Sequence, residues 1–156
     1  WLTQLLVTER VIAREAAALG VTITATTPTQ DEVLPDLTAR LEIGSIAASV
    51  LTDPIARAVF DHITRDVDVD EAAVADYHAR NPRRFARARG ADGWLRPGPD
   101  PGIDEVRPHI AALLRGAARR QAFRRWLDRR RAELVLLAPG YEHPGDPRQP
   151  DNTHKH

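Results

Sequence analysis

Histidines near the C-terminus are the side chains in this sequence best suited to chemistry. His143 follows Tyr141 and Glu142, and His154 and His156 lie at the end of the chain. Neutral imidazoles with a carboxylate are accepted ligands of Zn, Ni and Cu, and a flexible segment can fold around such an ion. A solvated tail accounts for the same residues, because paired spacing typical of a structural zinc site is missing. The alternative hypothesis is therefore a metal-binding protein or a metalloenzyme that uses His143, His154 and His156.

Other catalytic classes find little support in the residue types. The sequence has no cysteine, which excludes disulfides and thiol catalysis, and it contains no glycine-rich phosphate loop. Ser45 and Ser49 are the only serines, and neither lies in a Gly-x-Ser-x-Gly elbow. Paired carboxylates such as Asp104 and Glu105 fall at predicted helix starts, where they favour the helix dipole. We therefore predict no catalytic residue from the sequence and favour a protein that is not an enzyme.

The longest predicted element is an amphipathic helix from Ile103 to Leu137. Its apolar residues recur at intervals of three and four, which places them on one side. Eight arginines lie on the other side, which we expect to be solvated and paired with acidic residues of neighbouring helices. Nucleic-acid binding is disfavoured, because the formal net charge is zero and aromatic residues do not interleave with the arginines. The apolar side needs a partner surface from the preceding segments.

Those preceding segments are also predicted to be helical, with connections set by glycine, proline and capping residues. The predicted helices are Trp1 to Leu19 with a stop at Gly20, Asp31 to Ile43 interrupted by Pro35, Ser45 to Thr64 split at Asp53-Pro54, and a helix capped by Asp70 that ends at Asn81-Pro82. Residues 86–102 are rich in glycine and proline and are predicted to form a loop, and 138–156 a proline-rich tail.

Composition favours an all-α fold. Aromatic residues are few, and alanine, leucine, valine and isoleucine supply most of the apolar surface, which suits helix-on-helix packing. No apolar run approaches the roughly 20 residues of a transmembrane helix. We predict a helical domain over 1–137 with one long C-terminal helix, followed by an irregular tail over 138–156. Because the chain opens at Trp1 inside a helical pattern, we expect a removed leader or a longer parent chain, and the compartment stays open.

Three segments carry a resemblance to a known family. Val67 to Phe85 (VDVDEAAVADYHARNPRRF) resembles the segment leading into the parvulin domain of SurA- and PrsA-type peptidyl-prolyl isomerase foldases. The shared features are the cap Asp70, the pair Tyr77 and His78, and the ending at Asn81-Pro82 and Phe85. The stretch from Ile103 to Leu134 resembles the helix that re-enters their chaperone domain, and Trp1 to Gly20 is similar to their early helix.

The resemblance implies the N-terminal chaperone domain of that family with the parvulin domain missing. Between Phe85 and Ile103, where the family inserts its isomerase domain, this chain has a short Gly/Pro-rich stretch, so prolyl isomerase activity is not expected. The favoured function is therefore a non-catalytic, chaperone-like protein that binds unfolded or extended polypeptide, or a specific protein partner. We expect a groove lined by leucines, valines and the aromatics Phe60, Trp94 and Trp126. Trp94 either contacts a partner or folds back over the core, and the client and any homodimer stay open.

Overall fold

The computed structural model describes residues 1–85, 87–89, 95–98 and 101–136. Helices account for most of them, which confirms the all-α prediction. In chain order the elements are α1 (Leu2–Leu19), α2 (Gln30–Val33), α3 (Leu37–Ile43), α4 (Ser45–Val50), α5 (Pro54–Thr64), α6 (Glu71–Arg80), α7 (Pro82–Phe85), β1 (Arg87–Arg89), β2 (Leu95–Pro97) and α8 (Ile103–Leu134).

A short β-ladder corrects the prediction that residues 86–102 form a loop throughout. β1 pairs with β2 in antiparallel fashion, with Arg87 opposite Pro97 and Arg89 opposite Leu95. Strands of three residues are too short to show an alternating pattern, and Pro97 argues against a strand on sequence grounds. Hydrophobic periodicity therefore could not predict this ladder.

The described chain divides into two compact units. Unit 1 contains Trp1–Asp66 with the described part of Arg120–His156, and unit 2 contains Val67–Arg119. Helix α8 supplies its first part to unit 2 and its second part to unit 1. The predicted boundary at residue 137 stays a prediction, since 137–156 lies outside the described residues.

The core of unit 1 is built where α8 meets the earlier helices. Phe123 and Leu127 of α8 are buried in one cluster with residues of α1, α2, α3, α4 and α5, including Ile12, Leu51 and Val59. The ring of Phe123 lies 5.3 Å from that of Phe60 and 5.4 Å from that of Trp126, measured between centroids. The apolar side of α8 thus finds the partner surface that its pattern demanded.

Capping residues end and begin these helices where the sequence indicates. Gly20 adopts φ 64°, a left-handed conformation that a side chain disfavours, and it ends α1. Asp53 accepts a hydrogen bond from the Ile55 amide at 2.9 Å, and Asp70 accepts one from the Ala73 amide at 2.7 Å. Each carboxylate satisfies an amide that the first turn of a helix leaves unpaired.

Pro35 separates α2 from α3 rather than kinking a single helix. Thr29 and Glu32 form a reciprocal capping box at the start of α2, and these hydrogen bonds from Thr29 hold the pKa of Glu32 below its ordinary value. Asp36 then accepts a hydrogen bond from the Ala39 amide at 2.8 Å and starts α3. The restart follows because a proline disfavours the helical conformation of the residue before it.

Among the eight arginines on the polar side of α8, Arg115, Arg120 and Arg130 pair with carboxylates, as predicted, but Arg120 is not solvated. Arg120 is only 6% exposed, and its Nε and Nη2 lie 2.9 and 2.8 Å from Oε2 of Glu42 on α3. Its Nη1 also donates to the carbonyl of Val33 at 3.3 Å. An arginine can bury its aliphatic stem while its guanidinium pairs with a carboxylate. A helical pattern that counts every arginine as polar therefore does not predict that one of them is buried.

Candidate functional site

The most apolar cavity described in unit 1 is a groove between α1 and the C-terminal end of α8. We call it the α1 groove; it has a volume of about 480 Å³ and is lined by Leu6, Val7, Arg10, Val11, Arg14, Leu134, Val135 and Leu136. Its lining is therefore aliphatic apart from two arginines. Such a surface suits an apolar occupant rather than a reaction.

One wall of the α1 groove is formed by apolar side chains of α1 that the core of unit 1 does not cover. Val11 points into the core of unit 1 and forms the base of the groove. Leu6 is 52% exposed, and Leu2, one turn earlier, and Trp1 are exposed as well. An exposed run of large apolar side chains along one helix is unusual for a surface without a partner.

The other wall is formed where α8 ends. The amide of Val135 donates to the carbonyl of Arg131 at 3.0 Å, and the chain then leaves the helix. Leu136 is 98% exposed at the mouth of the groove. The sequence pattern extended this helix to Leu137, whereas Val135 and Leu136 are not helical. Because the chain leaves the helix at Val135, the side chains of Val135 and Leu136 line the groove.

An ion pair fixes this end of α8 on α1. Nη2 of Arg130 lies 2.7 Å from Oε1 of the buried Glu15, and Arg130 also pairs with Glu133. The hydrogen bond that Arg130 donates to Glu15 is the main cause that raises the pKa of Arg130 above its ordinary value. Nε of Arg130 is buried and has no hydrogen-bond partner among the residues that the structure describes. The groove is thus formed by two elements tied through a buried carboxylate, which keeps its width defined.

Of the three aromatic residues predicted to line a peptide groove, Phe60 and Trp126 do not line the α1 groove. Phe60 is 3% exposed and packs against Phe123, so it belongs to the core of unit 1 and does not line an exposed surface. Trp126 is half-buried and stacks on Phe123. Trp94 lies outside the described residues. An aromatic residue on a helix shows the same spacing whether it faces a core or a groove, so spacing alone does not distinguish the two positions.

The predicted metal ligands cannot be placed. His143, His154 and His156 all lie outside the described residues, so Zn, Ni or Cu binding by them stays a prediction. Among residues 1–85, 87–89, 95–98 and 101–136, no group of three or more His, Asp or Glu side chains is arranged to hold a metal ion.

Two further cavities in unit 1 are smaller and more polar. One, of about 230 Å³, lies between the loop after α1 and α5, where His62 contacts Arg65 beside Thr24 and Asp61. The other, of about 220 Å³, lies beside Gly44 and Ser45 and the arginines of α8. Neither cavity pairs a nucleophile with a base that could activate it.

Unit 2 contains Val67 to Phe85, one of the three segments that carried the family resemblance, and its aromatic residues form a cluster with His109. The ring of Phe85 lies 6.2 Å from His78, 6.4 Å from Tyr77 and 6.0 Å from His109 of α8. The guanidinium of Arg84 lies 5.7 Å from the centre of the Tyr77 ring. Nε2 of His78 is buried and has no hydrogen-bond partner within the described part of the chain. These contacts pack α6 and α7 against α8 within the unit, which is a structural role.

Comparison with known proteins gives no match, whether to a family model, to a curated protein or to a solved structure. Among the described residues, no helix is long and apolar enough to cross a membrane. The α1 groove and the sequence are therefore the basis for the proposed function.

Proposed function

We propose that this chain is a non-catalytic, chaperone-like protein that binds a short apolar segment of another polypeptide in the α1 groove. The observation that carries the proposal is the exposure of aliphatic side chains on both walls, above all Leu6 and Leu136. An occupant with apolar side chains would remove this surface from water, which is the main favourable term in protein association.

The area available implies weak and reversible binding. Full burial of a leucine side chain is worth about 1.5–3 kcal/mol, and Leu6 is already half covered. Leu6 and Leu136 together therefore offer about 2–4 kcal/mol, before the cost of ordering the occupant. A net gain of about 4.1 kcal/mol corresponds to a dissociation constant of about 1 mM, so we expect dissociation constants of about 1 mM or weaker. Rapid exchange of this kind suits a protein that shields apolar segments transiently.

The dimensions of the α1 groove favour a short segment over a folded domain. From Leu6 to Arg14 the wall formed by α1 extends about 12 Å, at about 1.5 Å per residue. That length accommodates roughly four extended residues or two helical turns of an occupant. A larger partner would contact the groove through one such segment.

The family resemblance favours the same function. The order of an early helix, the Asp70-to-Phe85 segment and a long returning helix resembles the chaperone domain of SurA-type foldases. We expect no prolyl isomerase activity, because the short stretch between Phe85 and Ile103 replaces the domain that provides it in that family.

The test is peptide binding to the full chain with matched leucine variants. Fluorescence anisotropy of labelled apolar peptides is measured for wild type, for Leu6→Ser and for Leu41→Ser. Leu41 lies on α3, is 71% exposed and does not line the groove, so it controls for nonspecific apolar contact. We expect Leu6→Ser to weaken binding about fivefold, from a loss of about 1 kcal/mol, and Leu41→Ser to leave binding unchanged.

Two results would oppose the proposal. One is equal weakening by both substitutions, which would indicate nonspecific apolar contact. The other is an absence of binding to any apolar peptide, together with a failure of the wild-type chain to slow the aggregation of an unfolded client protein.

A further inference from the structure

The α1 groove has a charged edge as well as an apolar floor. Arg10 and Arg14 are both exposed, both line the groove, and lie one helical turn apart on α1. Within the part of the chain that the structure describes, neither guanidinium is paired with a carboxylate. By contrast, Arg115, Arg120 and Arg130 each form an ion pair with an acidic residue of another element.

Two unpaired arginines at this spacing repel one another and leave ten donor N–H groups facing water at the edge of an apolar surface. Arginine forms planar, two-pronged hydrogen bonds to carboxylates, which makes it well suited to recognising an acidic ligand. Among the described residues that line the groove, none is an acidic side chain that would oppose a negative ligand.

Resting on the proposed function, we infer that the occupant of the α1 groove is an apolar polypeptide segment flanked by acidic residues. Its aliphatic side chains contact Leu6, Val11 and Leu136, and its carboxylates pair with Arg10 and Arg14. Because the arginines are four residues apart on a helix, matching carboxylates are spaced by two in an extended segment or by three to four in a helical one. Basic or neutral flanks leave the two guanidinium groups unpaired.

The test uses three synthetic peptides that share one apolar core and differ in flanks of glutamate, serine or lysine. Wild type, Arg10→Glu/Arg14→Glu and Arg125→Glu/Arg129→Glu are titrated as full chains. Arg125 and Arg129 are exposed, lie one turn apart on α8 in unit 1 and do not line the groove, so the control makes the same change in net charge.

Wild type should bind the glutamate-flanked peptide about tenfold more tightly than the serine-flanked one at low ionic strength. The difference should fall to about twofold near 0.5 M salt, where charges at the edge are screened. Arg10→Glu/Arg14→Glu should reverse the preference toward lysine flanks, while Arg125→Glu/Arg129→Glu should keep the preference of wild type.

The outcomes separate this inference from the proposed function. Equal affinity of wild type for glutamate and serine flanks overturns the acidic preference and leaves apolar binding intact, whereas no binding of any peptide overturns both. Tighter binding to the full chain with Glu142→Gln, Asp146→Asn and Asp151→Asn would assign the arginines to the chain's own tail and overturn the inference. Self-association that Arg10→Glu/Arg14→Glu abolishes would assign the groove to a second copy and overturn it as well.

Discussion

Removal of the carboxylate that faces Arg120 tests the structural account of α8. Glu42 on α3 lies within hydrogen-bond distance of Nε and Nη2 of Arg120, a positively charged side chain that is 6% exposed. Glu42→Gln keeps the shape of the side chain but removes its charge. The guanidinium is then buried beside a neutral amide and retains the Val33 carbonyl as its other described acceptor. We therefore expect the free energy of unfolding to fall.

The size of the loss follows from the exposure of the two partners. Breaking a fully buried ion pair by removing one partner costs about 3–5 kcal/mol. The side chain of Glu42 is 40% exposed, so water can replace part of what the carboxylate provided. We expect about 2 kcal/mol, which corresponds to a fall in Tm of about 4–8 °C for a protein of this size.

Urea denaturation followed by circular dichroism measures this loss. Asp76→Asn is the matched control, because Asp76 pairs with Arg80 on α6 with both side chains largely exposed. It should cost less than about 0.5 kcal/mol. Arg120→Met/Glu42→Leu should cost less than the sum of its single substitutions, since the desolvated charge is removed together with its partner. The account of Arg120 would be refuted if Glu42→Gln and Asp76→Asn had the same effect.

Further predictions concern the core, a helix end and acid sensitivity. Phe123→Ala should reduce the free energy of unfolding by about 3–5 kcal/mol through an unfilled cavity, measured by urea denaturation. Gly20→Ala should cost about 1 kcal/mol from backbone strain at positive φ, since no atom lies within 4 Å of the added methyl; thermal unfolding would measure it. The Arg115 guanidinium holds the pKa of Asp68 below its ordinary 3.8. The stability that this pair contributes is therefore present above pH 3.8 and lost as the pH falls below it, so urea titrations at pH 6 and pH 3 should show a gap between wild type and Asp68→Asn that narrows at the lower pH.

The local rules of helix formation predicted most of the helix boundaries. Gly20, Asp53 and Asp70 act within one turn of the chain, so the sequence around each of them contains the whole cause. The end of α8 was harder to place. Val135 and Leu136 continue the apolar pattern of α8 but are not helical. A run of apolar residues therefore does not show where a helix ends.

The α1 groove was not predicted because it depends on which apolar residues remain uncovered. Leu6 and Val11 have the same type of spacing on α1, but Val11 is buried in the core of unit 1 and Leu6 is half exposed. That difference in exposure is set by contacts with helices distant in sequence, and the periodicity of α1 carries no information about those contacts. The same reasoning explains Phe60, whose large apolar side chain fits a groove and a core equally well by type.

The division of α8 between two units has a consequence for synthesis on the ribosome. Unit 1 is interrupted in sequence by Val67–Arg119, so its core cannot close until Phe123 and Leu127 have been translated. Roughly 50 intervening residues take about 3–10 s to synthesise at about 5–20 residues per second. During that interval α1, α4 and α5 can pack against one another, but the apolar surface that Phe123 and Leu127 cover stays exposed to water. Unit 2, by contrast, has all its residues once Arg119 has been synthesised. The nascent chain therefore passes through a stage in which residues 1–66 expose apolar core surface, which favours aggregation.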